Sequence, residues 1–130
     1  MVAIERVVHV APWERAQFEE DLRREGATLL GMFDSGTLLG YIDYWATPDE
    51  VEILNVATAP PAQRRGVGAR LVGHALAAAQ EQGKQCVRLE VRRGNRPAIG
   101  LYQKLGFRAI AVRPNYYRDL EDAIVMVREL

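Results

Sequence analysis

Apolar positions change their spacing along the chain, and each change marks an element. Over residues 67–82, Val67, Leu71, Val72, Ala75, Leu76 and Ala79 recur at helical spacing, with Arg70, His74 and Glu81 on the other side. That pattern predicts an amphipathic helix closed by Gly83. Over 86–92 the period drops to two. Val87, Leu89 and Val91 share one face, and Cys86, Arg88, Glu90 and Arg92 share the other, which predicts a strand. Upstream, Thr28–Phe33 and Leu38–Ala46 are joined by Asp34-Ser35-Gly36 and predict a hairpin. Val51–Thr58, apolar on both faces, predicts a third antiparallel strand in a central position.

Strand 51–58, helix 67–82 and strand 86–92 form a βαβ unit, whose two strands should be parallel with a right-handed crossover. A helix over 95–105 is signalled by Asn95 as its cap, Pro97 in its first turn and Gly106 at its end. Phe107–Val112 and Ala123–Val127 predict the final strands, joined by a polar connection from Arg113 to Asp119. At the start of the chain, Ile4, Val7 and Val8 suggest a short helix broken at Pro12. A second helix runs from Trp13 to Arg24, with Phe18 and Leu22 on one stripe, and ends at Gly26. The fold class is α/β: one mixed sheet, an antiparallel meander followed by a parallel βαβ unit, in a single domain over 1–130.

Composition narrows the function without choosing it. Seventeen basic and seventeen acidic side chains cancel, which argues against a nucleic-acid or membrane-surface partner. Met1–Val10 carries Glu5 and Arg6 and so lacks the apolar centre of a signal peptide, and no run reaches the ~18 apolar residues of a membrane span. A single cysteine, Cys86, excludes an internal disulfide and fits a reducing compartment, so a cytoplasmic location is expected. Two scattered histidines and that cysteine make no metal site.

Chemistry concentrates first at Gln63-Arg64-Arg65-Gly66-Val67-Gly68, between the Pro60-Pro61 loop and the helix. A loop running into a helix start leaves main-chain N–H groups pointing one way, and with the helix dipole they suit phosphate oxygens. The two glycines, lacking Cβ, let a bulky anion approach. A Rossmann turn would need a third glycine at Leu71, and a Walker loop would need Gly-Lys-Ser/Thr, so this is a pyrophosphate loop of another lineage or a plain tight turn. Glu90, between Arg88 and Arg92 on its face, is either part of a solvated strand face or a carboxylate held rigidly enough to accept a proton. Tyr102 shares a stripe with Ala98, Leu101 and Leu105, and is either a core aromatic or a phenol that donates a proton to a leaving group. Asn95 is first a cap, and a ligand contact would be additional. Trp13, at a helix start, is a core aromatic or a site-lining one. His74 reads as solvated and Cys86 as packing.

From Val51 to Leu105 the chain resembles a GNAT-type N-acetyltransferase. Gln63-Arg64-Arg65-Gly66-Val67-Gly68 matches the family's Q/R-x-x-G-x-G/A signature. Asn95 with Leu101-Tyr102-Gln103-Lys104-Leu105-Gly106-Phe107 matches its second acetyl-CoA segment. Pro12-Trp13, Leu89-Glu90-Val91-Arg92, Asn115-Tyr116-Tyr117 and Glu121-Asp122-Ala123-Ile124-Val125-Met126 extend the resemblance to the ribosomal-protein-alanine N-acetyltransferases, the RimI-type branch.

The resemblance implies acetyl-CoA as cosubstrate, no metal, and a protein N-terminus as acceptor. It places the coenzyme pyrophosphate on the main-chain amides of Arg64, Arg65, Gly66, Val67, Gly68 and Ala69, and the pantetheine arm along the backbone of Asn55, Val56 and Ala57. It implies Glu90 as general base and Tyr102 as the donor to the departing thiolate. Attack on the thioester is direct, so no Ser or Cys nucleophile is needed. Two departures stand out. Ile4-Glu5-Arg6 begins inside the first helix, so the sheet is expected to lack its first edge strand, leaving a monomer with an open edge or a homodimer that supplies one. The connection after Tyr117 is shorter than in the branch. A small amine or a lysine is the alternative acceptor, and a non-catalytic acyl-CoA-binding module is the alternative function.

Overall fold

Among the described residues, the period-two stretch over 86–92 is extended and the helical-period stretch over 67–82 is helical as far as Glu81. The computed structural model describes residues 26–34, 37–58 and 66–130. The elements there are β1 (Ala27–Asp34), β2 (Thr37–Ala46), β3 (Glu50–Thr58), α1 (Val67–Glu81), β4 (Cys86–Arg92), α2 (Arg96–Lys104), β5 (Arg108–Arg113) and β6 (Ala123–Glu129). The expected helices before Gly26, Trp13, the question of a missing opening strand, and Gln63, Arg64 and Arg65 lie outside the described residues.

The six strands form one sheet in the order β1-β2-β3-β4-β6-β5. β1, β2 and β3 make the antiparallel meander. β3 and β4 are parallel, joined through α1 as the βαβ pattern requires. β6 then inserts between β4 and β5, antiparallel to both, a placement that chain order alone did not reveal. Its composition explains the choice. Ala123, Val125, Met126 and Val127 are all buried, whereas every residue of β5 is exposed, as suits an edge strand.

α1 covers one face of the sheet with the stripe read from the sequence: Val67, Leu71, Val72, Ala75, Leu76 and Ala79 are all buried. They pack with Ile42, Ile53, Val87, Leu89 and Met126 in the main core, where each large aliphatic side chain contributes ~1.5–3 kcal/mol by leaving water. Gly40 of β2 lets α1 seat this closely. A Cβ there would lie 2.5 Å from the Ala57 carbonyl oxygen and 3.0 Å from Val67 Cγ1.

One irregularity in β3 prepares the site. Asp43 pairs with Asn55 and the next residue, Tyr44, pairs with Ile53, so Leu54 is an extra residue, a bulge that bends and twists the strand. The parallel pairing with β4 runs from Glu50↔Cys86 to Ile53↔Leu89 and ends there, one residue before the bulge. Beyond that rung the two strands part.

Candidate active site

The gap between the parting strands is a cleft of about 420 Å³. β3 supplies Leu54, Asn55 and Val56 to its wall, β4 supplies Glu90 and Arg92, and the α2 segment supplies Asn95 and Tyr102. A smaller cavity of about 230 Å³ adjoins it, with Glu52 and Tyr116 in its lining. Ile53, Leu54, Glu90 and Tyr117 belong to both walls, so Glu90 stands at the junction. A further cavity of about 940 Å³ lies beside Trp45, Pro48 and Lys84 at the other end of the parallel strands and carries none of the candidate residues.

Glu90 is no solvated strand residue: its side chain is only 18% exposed. Oε1 accepts a hydrogen bond from Arg113 Nη1 at 2.8 Å, while Oε2 is enclosed and has no partner in direct hydrogen-bond range. The arginines beside Glu90 on β4 turn elsewhere. Arg88 pairs with Glu50 at 3.8 Å, and Arg92 Nη1 pairs with Asp119 at 2.9 Å and Glu121 at 3.1 Å. Burial first, and then the Glu90 charge, raises the pKa of the neighbouring Tyr116 phenol.

Tyr102 satisfies both readings of its position. Its ring packs edge-on against Phe107 with centroids 5.9 Å apart and touches the core, yet the residue also lines the cleft. Burial, with a smaller contribution from Tyr117, pushes its pKa above the ordinary 10.0, so the phenol is protonated at neutral pH. Asn95 caps α2, its Oδ1 accepting from the Ala98 N–H at 3.3 Å, and faces the cleft as well. Asn55 donates through Nδ2 to the Tyr41 hydroxyl at 3.3 Å, which fixes this side chain of β3 at the cleft. Ala57 packs against the Leu29–Leu38–Tyr41 cluster instead.

Gly66 is the N-cap of α1; its φ of 77° is the left-handed conformation open to glycine, and the cap residue itself brings no side chain to the helix start. A Cβ at Gly66 would meet nothing within 4 Å. Among the described residues the first-turn N–H groups of Val67, Gly68 and Ala69 receive no side-chain cap, as an anion seat requires. Gly68 lies beside α2. A Cβ there would touch Leu101 Cδ2 of α2 at 3.4 Å, an ordinary contact, so its missing side chain faces a helix. His74 is exposed, and burial raises the Cys86 thiol above its ordinary pKa, which disfavours the thiolate. Among the described residues no three His, Cys, Asp or Glu side chains gather as a metal site, and no helix is long and apolar enough to cross a membrane.

Residues 1–107 match the acetyltransferase (GNAT) family. The chain belongs to that family. It is similar to the ribosomal protein bS18-alanine N-acetyltransferase of Escherichia coli, 33% identical over 128 residues that cover 95% of this chain and 84% of that protein. The crystal structure of the Escherichia coli ribosomal-protein-S18-alanine N-acetyltransferase superposes with a TM-score of 0.88 at 32% identity, covering 98% of this chain and 84% of that one. Ard1 from Thermoplasma volcanium superposes with a TM-score of 0.89 at 31% identity, covering 98% and 90%.

Residues of the β5–β6 connection also reach the cleft of this GNAT acetyltransferase. The β5–β6 connection is fastened to the β4–α2 turn by a set of acidic side chains. Glu121 Oε2 accepts from the Gly94 N–H at 3.0 Å, Asp122 Oδ2 accepts from Arg93 at 2.9 Å, and Asp122 Oδ1 accepts from the Asn115 N–H at 3.0 Å. The Arg92 guanidinium lies 4.0 Å from the Tyr117 ring centroid, and Tyr116 meets Tyr117 edge-on with centroids 5.1 Å apart. The fastening thus sets two tyrosines against the cavities. In the sequence Asp119 ends the polar connection, while Glu121 and Asp122 stand among the residues that carry the RimI-type resemblance.

Proposed function

We propose that the chain transfers the acetyl group of acetyl-CoA to the α-amine of a protein N-terminus. One observation carries the reading: Glu90 and Tyr102, a carboxylate and a protonated phenol, line a single cleft where two parallel strands part. The relatives named for alanine N-terminal acetylation support the acceptor class. The cleft fits the donor. The open N-terminus of α1, with Gly66, Val67, Gly68 and Ala69, would hold the diphosphate, joined by Arg64 and Arg65. The backbone of Asn55, Val56 and Ala57, released from pairing with β4, would run beside the pantetheine arm, and Asn95 would close the cleft at the start of α2.

In this reading the smaller cavity receives the acceptor, and Glu90 takes the proton from its ammonium. An α-ammonium ionises near ~7.7–8.0, far more readily than a lysine near ~10.4, so a carboxylate base suffices. The neutral amine forms the new C–N bond at the thioester carbonyl, the C–S bond breaks, the Tyr102 phenol protonates the departing thiolate, the second proton shed by the nitrogen restores the phenol, and Glu90 gives its proton to solvent. The products are an acetamide and a free thiol. Each proton-transfer role is typically worth ~10²–10⁴-fold in rate.

The test is thiol release from acetyl-CoA with short peptides bearing a free α-amine, with the same peptides N-terminally blocked, and with polyamines and lysine side chains. Turnover confined to free α-amines supports the reading. Turnover on the small amines or lysine instead assigns the other acceptor, and stabilisation by coenzyme A without any turnover would make the chain a binding module.

A further inference from the structure

We propose that Arg113 is a positioning residue for the transfer, holding Glu90 by one carboxylate oxygen so that the other is presented to the acceptor amine. The inference rests on the base role given to Glu90 above. Its geometry is one-sided. Oε1 is tied to Arg113 Nη1 at 2.8 Å, and Oε2 is enclosed at the junction of the two cavities without a partner in direct hydrogen-bond range. The Glu90 side chain is mostly buried while that of Arg113 is 53% exposed, so the arginine grips from the solvent side and leaves the inner oxygen to the site.

The fold places this arginine with some care. Glu90 pairs with Val125 of β6, and Val125 pairs in turn with Ala111 of β5. Arg113 lies two residues beyond Ala111 and therefore on the same face, from which its long side chain reaches over β6 to Glu90. The guanidinium is steadied on its other side by the Tyr116 ring, 4.8 Å from its carbon to the centroid. The other charged and titratable groups around Glu90 do not take this place. Arg88 turns to Glu50, and Arg92 turns to Asp119 and Glu121. Glu52, Tyr102, Tyr116 and Tyr117 bring no cation. A half-exposed ion pair adds little to stability, so its value lies in orientation. A lysine would keep the charge but lose the planar fork that both holds the carboxylate and stacks on the ring.

The experiment is a double-mutant cycle in kcat, using Arg113→Gln, Arg113→Lys, Glu90→Gln and the double variant. A displaced reacting group costs up to ~10²-fold, so Arg113→Gln should lower kcat by about 10–100-fold with the KM for acetyl-CoA unchanged. Arg113→Lys should recover part of the loss. In the Glu90→Gln background, Arg113→Gln should have no further effect, because its action passes through the carboxylate. Coenzyme A-induced thermal stabilisation of each variant checks that it folds. Should Arg113→Gln turn over like the parent, or cost as much with Glu90→Gln as without it, the proposal fails. If Glu90→Gln itself keeps full kcat, the base assignment is what has failed.

Discussion

Ile53 and Leu89 form the last rung of the β3–β4 ladder, and the residues that follow them, Leu54 and Glu90, already belong to the cleft wall. The candidate base thus sits on regular strand, paired on its other side with Val125, at the point where the sheet opens. Rigid placement of that kind is what proton transfer needs. Glu90→Gln keeps the shape and the contact with Arg113 but cannot take a proton. It should lower kcat by about 10²–10⁴-fold while leaving acetyl-CoA affinity near that of the parent, as measured by steady-state kinetics and calorimetry. An unchanged kcat across the pH range would remove Glu90 from the mechanism.

Tyr102→Phe isolates the opposite proton. The ring would still pack on Phe107, so the loss is confined to the hydroxyl. Thiol release should slow by about 10²–10⁴-fold with little change in acceptor KM. Burial raises this phenol, and a raised pKa means the folded state holds its proton more tightly than the unfolded chain does. The associated stability is fully present below pH 10.0 and is lost as pH rises through the higher folded value. Thermal melts above pH 10 should therefore fall more steeply for the parent than for Tyr102→Phe, which has no phenol to ionise.

Gly66→Val addresses the donor end. The position has open space, so a clash is not the issue; the backbone at φ 77° is. A β-branched residue held there costs roughly 1–3 kcal/mol, or else the chain relaxes and the first turn of α1 shifts. Either outcome disturbs the N–H groups of the first turn. Coenzyme A should no longer raise the melting temperature of Gly66→Val at concentrations that stabilise the parent, whereas Gly68→Ala, meeting Leu101 at ordinary contact distance, should still respond.

The sequence made the scaffold legible because the scaffold is one-sided. The α1 stripe is buried on one face and solvated on the other, so spacing alone named its six buried residues. β4 alternates for the same reason, and Asn95 and Gly106 bound α2 through backbone requirements that few other residues meet. The site was legible only in part, through local motifs. Glu90 reads naturally as the neighbour of Arg88 and Arg92, but residues two apart on a strand stand roughly 6–7 Å from each other. Partners reaching from other strands and from the loop come closer, and Arg113, 23 residues on, takes the contact. Leu54 gives no sign of being a bulge, and nothing in local spacing says that β6 will lie inside β5. Those facts depend on which strand pairs with which.

The loop that carries Tyr116 and Tyr117 offers a final check through acid. Asp122 is held below its ordinary 3.8 first by the Asn115 N–H and then by Arg93, and Asp119 is lowered first by the Glu121 N–H and then by Arg92. For a depressed carboxylate the folded state favours the ionised form. Its stabilising effect is complete above 3.8 and disappears as pH falls through the lower folded value. Asp119 is exposed and Asp122 only partly buried, so the global stability at stake is small and the effect is local. Asp122→Asn should thus speed hydrogen exchange at the Asn115 amide at neutral pH. It should also raise acceptor KM by loosening the loop against the smaller cavity, with acetyl-CoA affinity retained. Once the pH has fallen through the lowered folded value, the exchange rates of variant and parent should converge after correction for intrinsic chemistry. Equal protection of Asn115 in both proteins at neutral pH would show that Asp122 does not hold the loop.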